Sequence, residues 1–138
     1  MPTAQRVQQL LVMAKEVAAN ECVTWQIDQR QEELVLAVED RGLAFLLSMK
    51  RNTFEITAQI RTRERNLLLA RIDNAAQHVN PDGSVLRGPH LHVYREGDGL
   101  AWAELIDWYD LARPMDTLMH FLSLIQTRFP HGLQEALL

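Results

Sequence analysis

The sequence predicts an α+β fold, an antiparallel β-meander sheet with an N-terminal and a C-terminal helix packed on one face. Three observations predict it. Apolar residues recur at helical spacing at both ends of the chain, they alternate at period two through its middle, and Gly, Pro, Asn and Asp punctuate the alternating stretches. At 138 residues and 47% apolar, the chain suffices for a single α+β domain, 1–138, whose core needs no disulfide or structural metal.

The first helix is expected to be capped by Thr3, because Val7, Leu10, Leu11, Ala14, Val17 and Ala18 follow the i, i+3, i+4, i+7 spacing of one apolar face. From Cys22 the period changes. Val23, Trp25 and Ile27 alternate with polar residues, Leu34, Leu36 and Val38 do the same, and an apolar run follows from Leu43 to Met49. Asp40-Arg41-Gly42 marks the turn between the second and third of these strands. Thr53 to Ile60 and Asn66 to Asp73 read as a hairpin with Phe54, Ile56, Ala58 and Ile60 on one face and the charged stretch 61–65 at its bend.

The connection from Asn74 to Pro89 is long for a compact domain, contains the turn signal Asn80-Pro81-Asp82-Gly83, and ends at Gly88-Pro89. Long ordered loops of this kind often carry function. The strand His90 to Arg95 then folds back through Glu96-Gly97-Asp98-Gly99 into Leu100 to Ile106. Strand alternation puts His90, His92 and Tyr94 on one face, with Leu91 and Val93 on the other. A two-residue turn would set Ala101 and Ala103 on the histidine face and leave space above it. A three-residue turn would set Trp102 and Glu104 there. After Arg113-Pro114, the stripe Met115, Leu118, Leu122, Ile125, Phe129 predicts a second helix ended by Pro130.

Charge is uneven. The net charge is −4, yet residues 50–95 carry eight Lys/Arg against four acids while the remainder carries six against fourteen. An anionic partner at the centre of the chain is therefore compatible with an acidic protein, although Arg and Lys also protect sheet edges from pairing. A lone cysteine, Cys22, excludes an internal disulfide. The sequence opens on no basic-then-apolar signal segment and holds no bilayer-length apolar run, so a cytoplasmic protein with no membrane partner is expected. Exposed sheet edges leave a homodimer open.

The chemistry-bearing residues cluster between positions 71 and 94. Metal-free cleavage of RNA needs a base for the 2′-hydroxyl, an acid for the leaving oxygen and a cation for the charge on phosphorus. His90, His92, Arg71, Asp73 and Tyr94 supply those side-chain types as candidate catalytic residues, with Asp73 placed to orient a histidine. Arg61, Arg63, Arg65, Arg87 and His78 are the candidate substrate contacts. Two histidines at His-x-His spacing do not specify a metal: His78, Asp73 or Glu104 would have to complete the set, and no Cys cluster or His-Glu-x-x-His helix is present. No metal and no cofactor is assigned. The bland alternative is that the histidines bond one another, Asp73 and loop backbone, pinning the long loop to the sheet. His120 and His131 read as surface residues, and no phosphate-cradling loop, nucleophile elbow or dinucleotide fingerprint occurs.

The run Arg71-Ile72-Asp73-Asn74-Ala75, with His78 and the closing Pro89-His90-Leu91-His92, resembles a motif of the TumE-like family of small bacterial toxin–antitoxin proteins. Ile72 stands where that motif has an aromatic residue, and the likeness covers residues 71–92. The Gly-Pro-His-Leu-His ending is also similar to that of other short proteins of bacteria and mobile elements. The resemblance implies a toxin-like or host–parasite conflict role; the expected partners are RNA, from the side-chain types above, or a protein, either an antitoxin or a host target. It brings no catalytic mechanism with it. Two functions are thus expected to compete: a metal-independent ribonuclease, and a non-catalytic, mobile-element inhibitor that binds a protein and keeps its histidines for structure.

Overall fold

The computed structural model describes residues 2–137. Helix α1 spans Ala4–Val12, and its cap is Thr3, whose hydroxyl accepts the Arg6 N–H at 3.1 Å. Val7, Leu10 and Leu11 are its buried stripe. The helix ends earlier than the apolar spacing predicts. Lys15–Val17 forms strand β1, in which Lys15 pairs with Ala37 on one side and Thr127 on the other. Lys15 and Val17 fit period two as well as Val17 and Ala18 fit the helix, and two flanking strands decide the outcome by completing the backbone ladder.

Val23–Trp25 is β2, but it stays out of the main sheet and pairs in parallel with the C-terminal strand Leu133–Glu135. Arg51 docks this small sheet, donating from Nη2 to the carbonyls of Trp25 and Ala136, each at 3.0 Å. The central meander follows: β3 Gln31–Ala37, β4 Ala44–Arg51, β5 Ile56–Thr62 and β6 Leu68–Asp73, each antiparallel to the next. In β3 the fully buried positions are Val35 and Ala37, so Leu34 and Leu36 face the other way and Val38 is exposed. Phe54 lies before β5 and is 81% exposed, in a turn where the Asn52 carboxamide oxygen accepts the Phe54 and Glu55 N–H groups. Only Ile56, Ala58 and Ile60 of that predicted face enter the core.

The long connection is ordered as a small flap, β7 His78–Val79 paired with β8 Val85–Leu86 around the Asn80–Gly83 turn. Strand β9 is His90–Val93 and β10 is Ala103–Leu105. Asn80 joins the flap to β10: its carboxamide donates to the Ala103 carbonyl at 3.1 Å and accepts the Ala103 N–H at 2.9 Å, as a neighbouring strand would. Helix α2 runs Pro114–Leu124, with Pro114 at its start as expected, and it too stops short. Gln126 adopts φ 52°, and Thr127–Arg128 becomes β11, parallel to β1. Phe129 therefore lies beyond the helix, and Pro130 has no helix to end.

The main sheet has eight strands in the order β10-β9-β6-β5-β4-β3-β1-β11, all antiparallel neighbours except β1 and β11. This is a mixed α+β fold whose sheet is mostly antiparallel. Val35, Leu47, Met49, Ala58, Ile60, Ile72 and Leu91 form one cluster with Val7, Leu10 and Leu11 of α1 and with Leu118, Phe121 and Leu122 of α2. Alternation sends the polar members of the same strands to the opposite face, and this is what builds the site.

Tyr109 closes the open side of β5. Its hydroxyl accepts the Ile56 N–H at 2.6 Å and donates to the Ile56 carbonyl at 2.7 Å, and burial pushes its pKa from 10.0 up to about 12. Tyr109→Phe leaves both backbone groups without that partner and is expected to cost about 1–2 kcal/mol in urea unfolding. Because the folded value is the higher one, Tyr109 supports the fold fully below pH 10 and loses that contribution as pH rises towards 12. The Phe variant should lack this alkaline loss, and a wild-type-like decline in the variant would refute the assignment.

Candidate functional site

The cross-strand register lines polar side chains into rows. One row runs Glu32, Ser48, Gln59, Arg71, His92, Ala103 across six strands. Beside it Asp73 faces His90, and His90 faces Leu105. Arg71, Asp73, His90 and His92 are thus brought together by the parity of β6 and β9.

Asp73 is the hub. Its Oδ1 accepts the Ala75 N–H at 3.0 Å and lies 3.0 Å from His90 Nε2; its Oδ2 accepts Arg71 Nε–H at 3.2 Å and stands 3.4 Å from His92 Nε2. The Asp73-Asn74-Ala75 turn and the histidine pairing are therefore made by one carboxylate. Burial, the largest single influence, pushes the Asp73 pKa up. The His92 contact, the Ala75 N–H and the charges of His90 and Arg71 together outweigh it and hold the carboxyl well below the usual carboxylate range.

The other ring nitrogens meet backbone carbonyls. His90 Nδ1 donates to Gly88 at 2.8 Å, His92 Nδ1 to Leu100 at 2.7 Å, and His78 Nε2 to Ala101 at 2.8 Å. Gly88 can present its carbonyl this way because it takes φ 116°, where a side chain would be strained. His90 faces an acceptor from each nitrogen, which both hold only if each carries a proton. His92 Nε2 lies between the donor Arg71 Nη2, at 3.3 Å, and the acceptor Asp73 Oδ2, so its protonation selects which of the two it engages. The three rings pack with centroids 4.8–5.3 Å apart.

The space expected above these rings is filled. Ala103 opposes His92 as the two-residue-turn parity requires, yet the hairpin tip itself closes at the Arg95–Gly99 bridge around three residues. The irregular stretch after Gly99 restores the parity and lays the Leu100 and Ala101 carbonyls over the imidazoles. His90 and His92 are each 1% exposed. Tyr94 is not with them. It lies past the end of β9, buried in the apolar cluster with its hydroxyl 3.5 Å from the Pro2 carbonyl.

What stays open is the cationic side of the face. Arg71, its side chain 36% exposed, lines a cleft of about 410 Å³ with Arg30, Ser48, Lys50, Glu55, Thr57, Gln59 and Asp73. Lys50 pairs with Glu55 at 3.1 Å and Arg61, on the same face, with Glu32 at 3.0 Å; Arg30 has no ion pair among the described residues. Of the predicted contacts, His78 joins the imidazole cluster, and Arg87 bonds Gln77 at 2.9 Å on the flap's flank. Arg63 and Arg65 are elsewhere, lining a separate cleft of about 850 Å³ with Arg6 and Leu10. Sequence reasoning missed Ser48, Lys50 and Gln59, whose period-two spacing with their strands' apolar positions was the available signal, and it missed Asn80.

The model of a family of unknown function matches residues 3–127. No curated protein and no solved structure matches the chain.

Proposed function

The chain belongs to the DUF6978 family, and we propose that its polar sheet face binds the phosphate backbone of RNA without cleaving it. The observation that carries this reading is the division of labour around Asp73. The groups that would serve as acid and base are 1% exposed and held at both nitrogens, whereas the Arg71 guanidinium reaches the cleft. A buried, doubly bonded imidazole is poorly placed to trade protons with a substrate, and a braced arginine is well placed to meet a phosphate. His90 and His92 then act as positioning residues for Arg71, with Arg30 and Lys50 as further phosphate contacts. The reading takes both helices to cover the apolar face, so that a cytoplasmic partner has free access to the polar one. In the conflict setting that the resemblance of residues 71–92 implies, an RNA-binding face suits a toxin-like protein that sequesters its target. An inhibitor acting on a protein is the competing reading, favoured by the same burial of the histidines.

Fluorescence anisotropy with a labelled single-stranded RNA, titrated across salt, tests this. Arg71→Ala and Lys50→Ala should each weaken binding for all sequences and lower the salt slope by about one. Absence of binding by the wild type at low salt would overturn the reading. So would RNA cleavage in metal-free buffer that His90→Gln abolishes, which would restore the ribonuclease.

A further inference from the structure

We propose that His78, His90 and His92 form a binding site for one divalent transition-metal ion of the zinc class, an inference that shares His90, His92 and Asp73 with the RNA reading but does not rest on RNA being bound. One ring nitrogen from each of the three lies within 4.8 Å of the other two. Each ring also donates an N–H to a backbone carbonyl, those of Ala101, Gly88 and Leu100. That pattern is how proteins fix the tautomer and orientation of metal-ligating histidines and leave the second nitrogen as the ligand. The nitrogens that would serve as ligands are His78 Nδ1, His90 Nε2 and His92 Nε2, and at the last two the metal would take the place of a proton and of the contacts to Asp73 and Arg71. A clasp made only of hydrogen bonds accounts for His90 and His92, but it gives His78 Nδ1 no partner among the described residues.

The electrostatics fit a cation. Asp73 Oδ1, 3.0 Å from His90 Nε2, brings a negative charge to the edge of the cluster and is the nearest candidate for a fourth donor. Tetrahedral zinc with bonds of 2.0–2.1 Å sets its donors roughly 3.3 Å apart. The imidazoles therefore have to close in, and His78 is the one that stands outside the main sheet, on the two-stranded flap. Arg71 must turn from His92 towards the cleft, which its partial exposure allows. With two of the three rings nearly inaccessible, the ion would be enclosed, and its role would be to fasten residues 74–89 to the sheet.

The full chain, prepared without a histidine tag and stripped with chelator, should be equilibrated with Zn²⁺ and freed of excess. A single zinc per chain is expected by elemental analysis, Co²⁺ in its place should give the visible absorption of tetrahedral coordination, and the thermal midpoint should climb with Zn²⁺ concentration. His78→Ala removes a ligand from the half-buried flap rather than the core, so it should stay folded by circular dichroism while losing both the stoichiometric zinc and the cobalt spectrum. Background zinc in the wild type with no thermal shift would overturn the site. Zinc retained by folded His78→Ala at wild-type stoichiometry would overturn it equally.

Discussion

Asp73→Asn is expected to destabilise the fold by about 3–5 kcal/mol, the range for removing one partner from a buried charge network. The carboxylate meets four groups: Arg71, Ala75, His90 and His92. Asparagine keeps Oδ1 for the Ala75 N–H and His90 Nε2, but it puts an NH2 where Oδ2 accepted from Arg71 Nε–H and faced His92 Nε2, and it removes the negative charge from the whole cluster. Arg71 can turn its guanidinium to solvent. His90 and His92 cannot, each at 1% exposed and with its Nδ1 already given to a backbone carbonyl. The cost therefore falls mainly on the lost charge beside the two buried imidazoles, and it should appear as a lower urea midpoint with little change in slope. Hydrogen exchange supplies a local readout, since the flap is tied to β10 through Asn80 and to the cluster through His78. Faster exchange across residues 78–86 should accompany the global loss. A change below about 1 kcal/mol, typical of an exposed ion pair, would show that Asp73 is not the hub.

Much of this architecture was legible because long alternating segments specify their own faces. The hairpins of β3 to β6, the Asp40–Gly42 turn, the Thr3 cap and the Pro114 start all rest on local chemistry that the sequence states. The convergence of Arg71, Asp73, His90 and His92 was legible for the same reason, since parity alone puts them on one side of adjacent strands. What was not legible depends on partners far along the chain. Strands β1 and β11 are three and two residues long, and each is a strand only because the other and β3 are present. Tyr94 follows parity on paper, but β9 ends before it. The covering of the histidines turned on an irregularity after Gly99, where a three-residue tip and an opposite parity coexist in one hairpin. No rule of turn length anticipates that.

Lys15 carries the second large effect, one that no motif suggested. Its ammonium donates to the carbonyls of Leu11 at 2.8 Å and Met13 at 3.0 Å, where α1 ends, and of Ile125 at 2.8 Å, where α2 ends. Neither helix has a basic residue in its last turn, so this one cation meets the negative ends of both. It also sits 5.3 Å from the centre of the Phe45 ring. Lys15→Met fills similar volume but leaves three carbonyls without their donor, at about 1–3 kcal/mol each. Relief from desolvating a charge offsets part of that, so a net loss of about 2–4 kcal/mol is expected at neutral pH. The pH dependence separates the two contributions. Burial lowers the Lys15 pKa from 10.5 to about 8. Below pH 8 both folded and unfolded chains carry the proton; between about 8 and 10.5 the unfolded chain binds more of it, so this residue makes stability rise with pH across that window. Wild type measured by urea unfolding from pH 7 to pH 10 should show that rise relative to Lys15→Met, and the gap between them should widen as the pH increases. Parallel profiles would mean that the ammonium is not buried between the helix ends in solution.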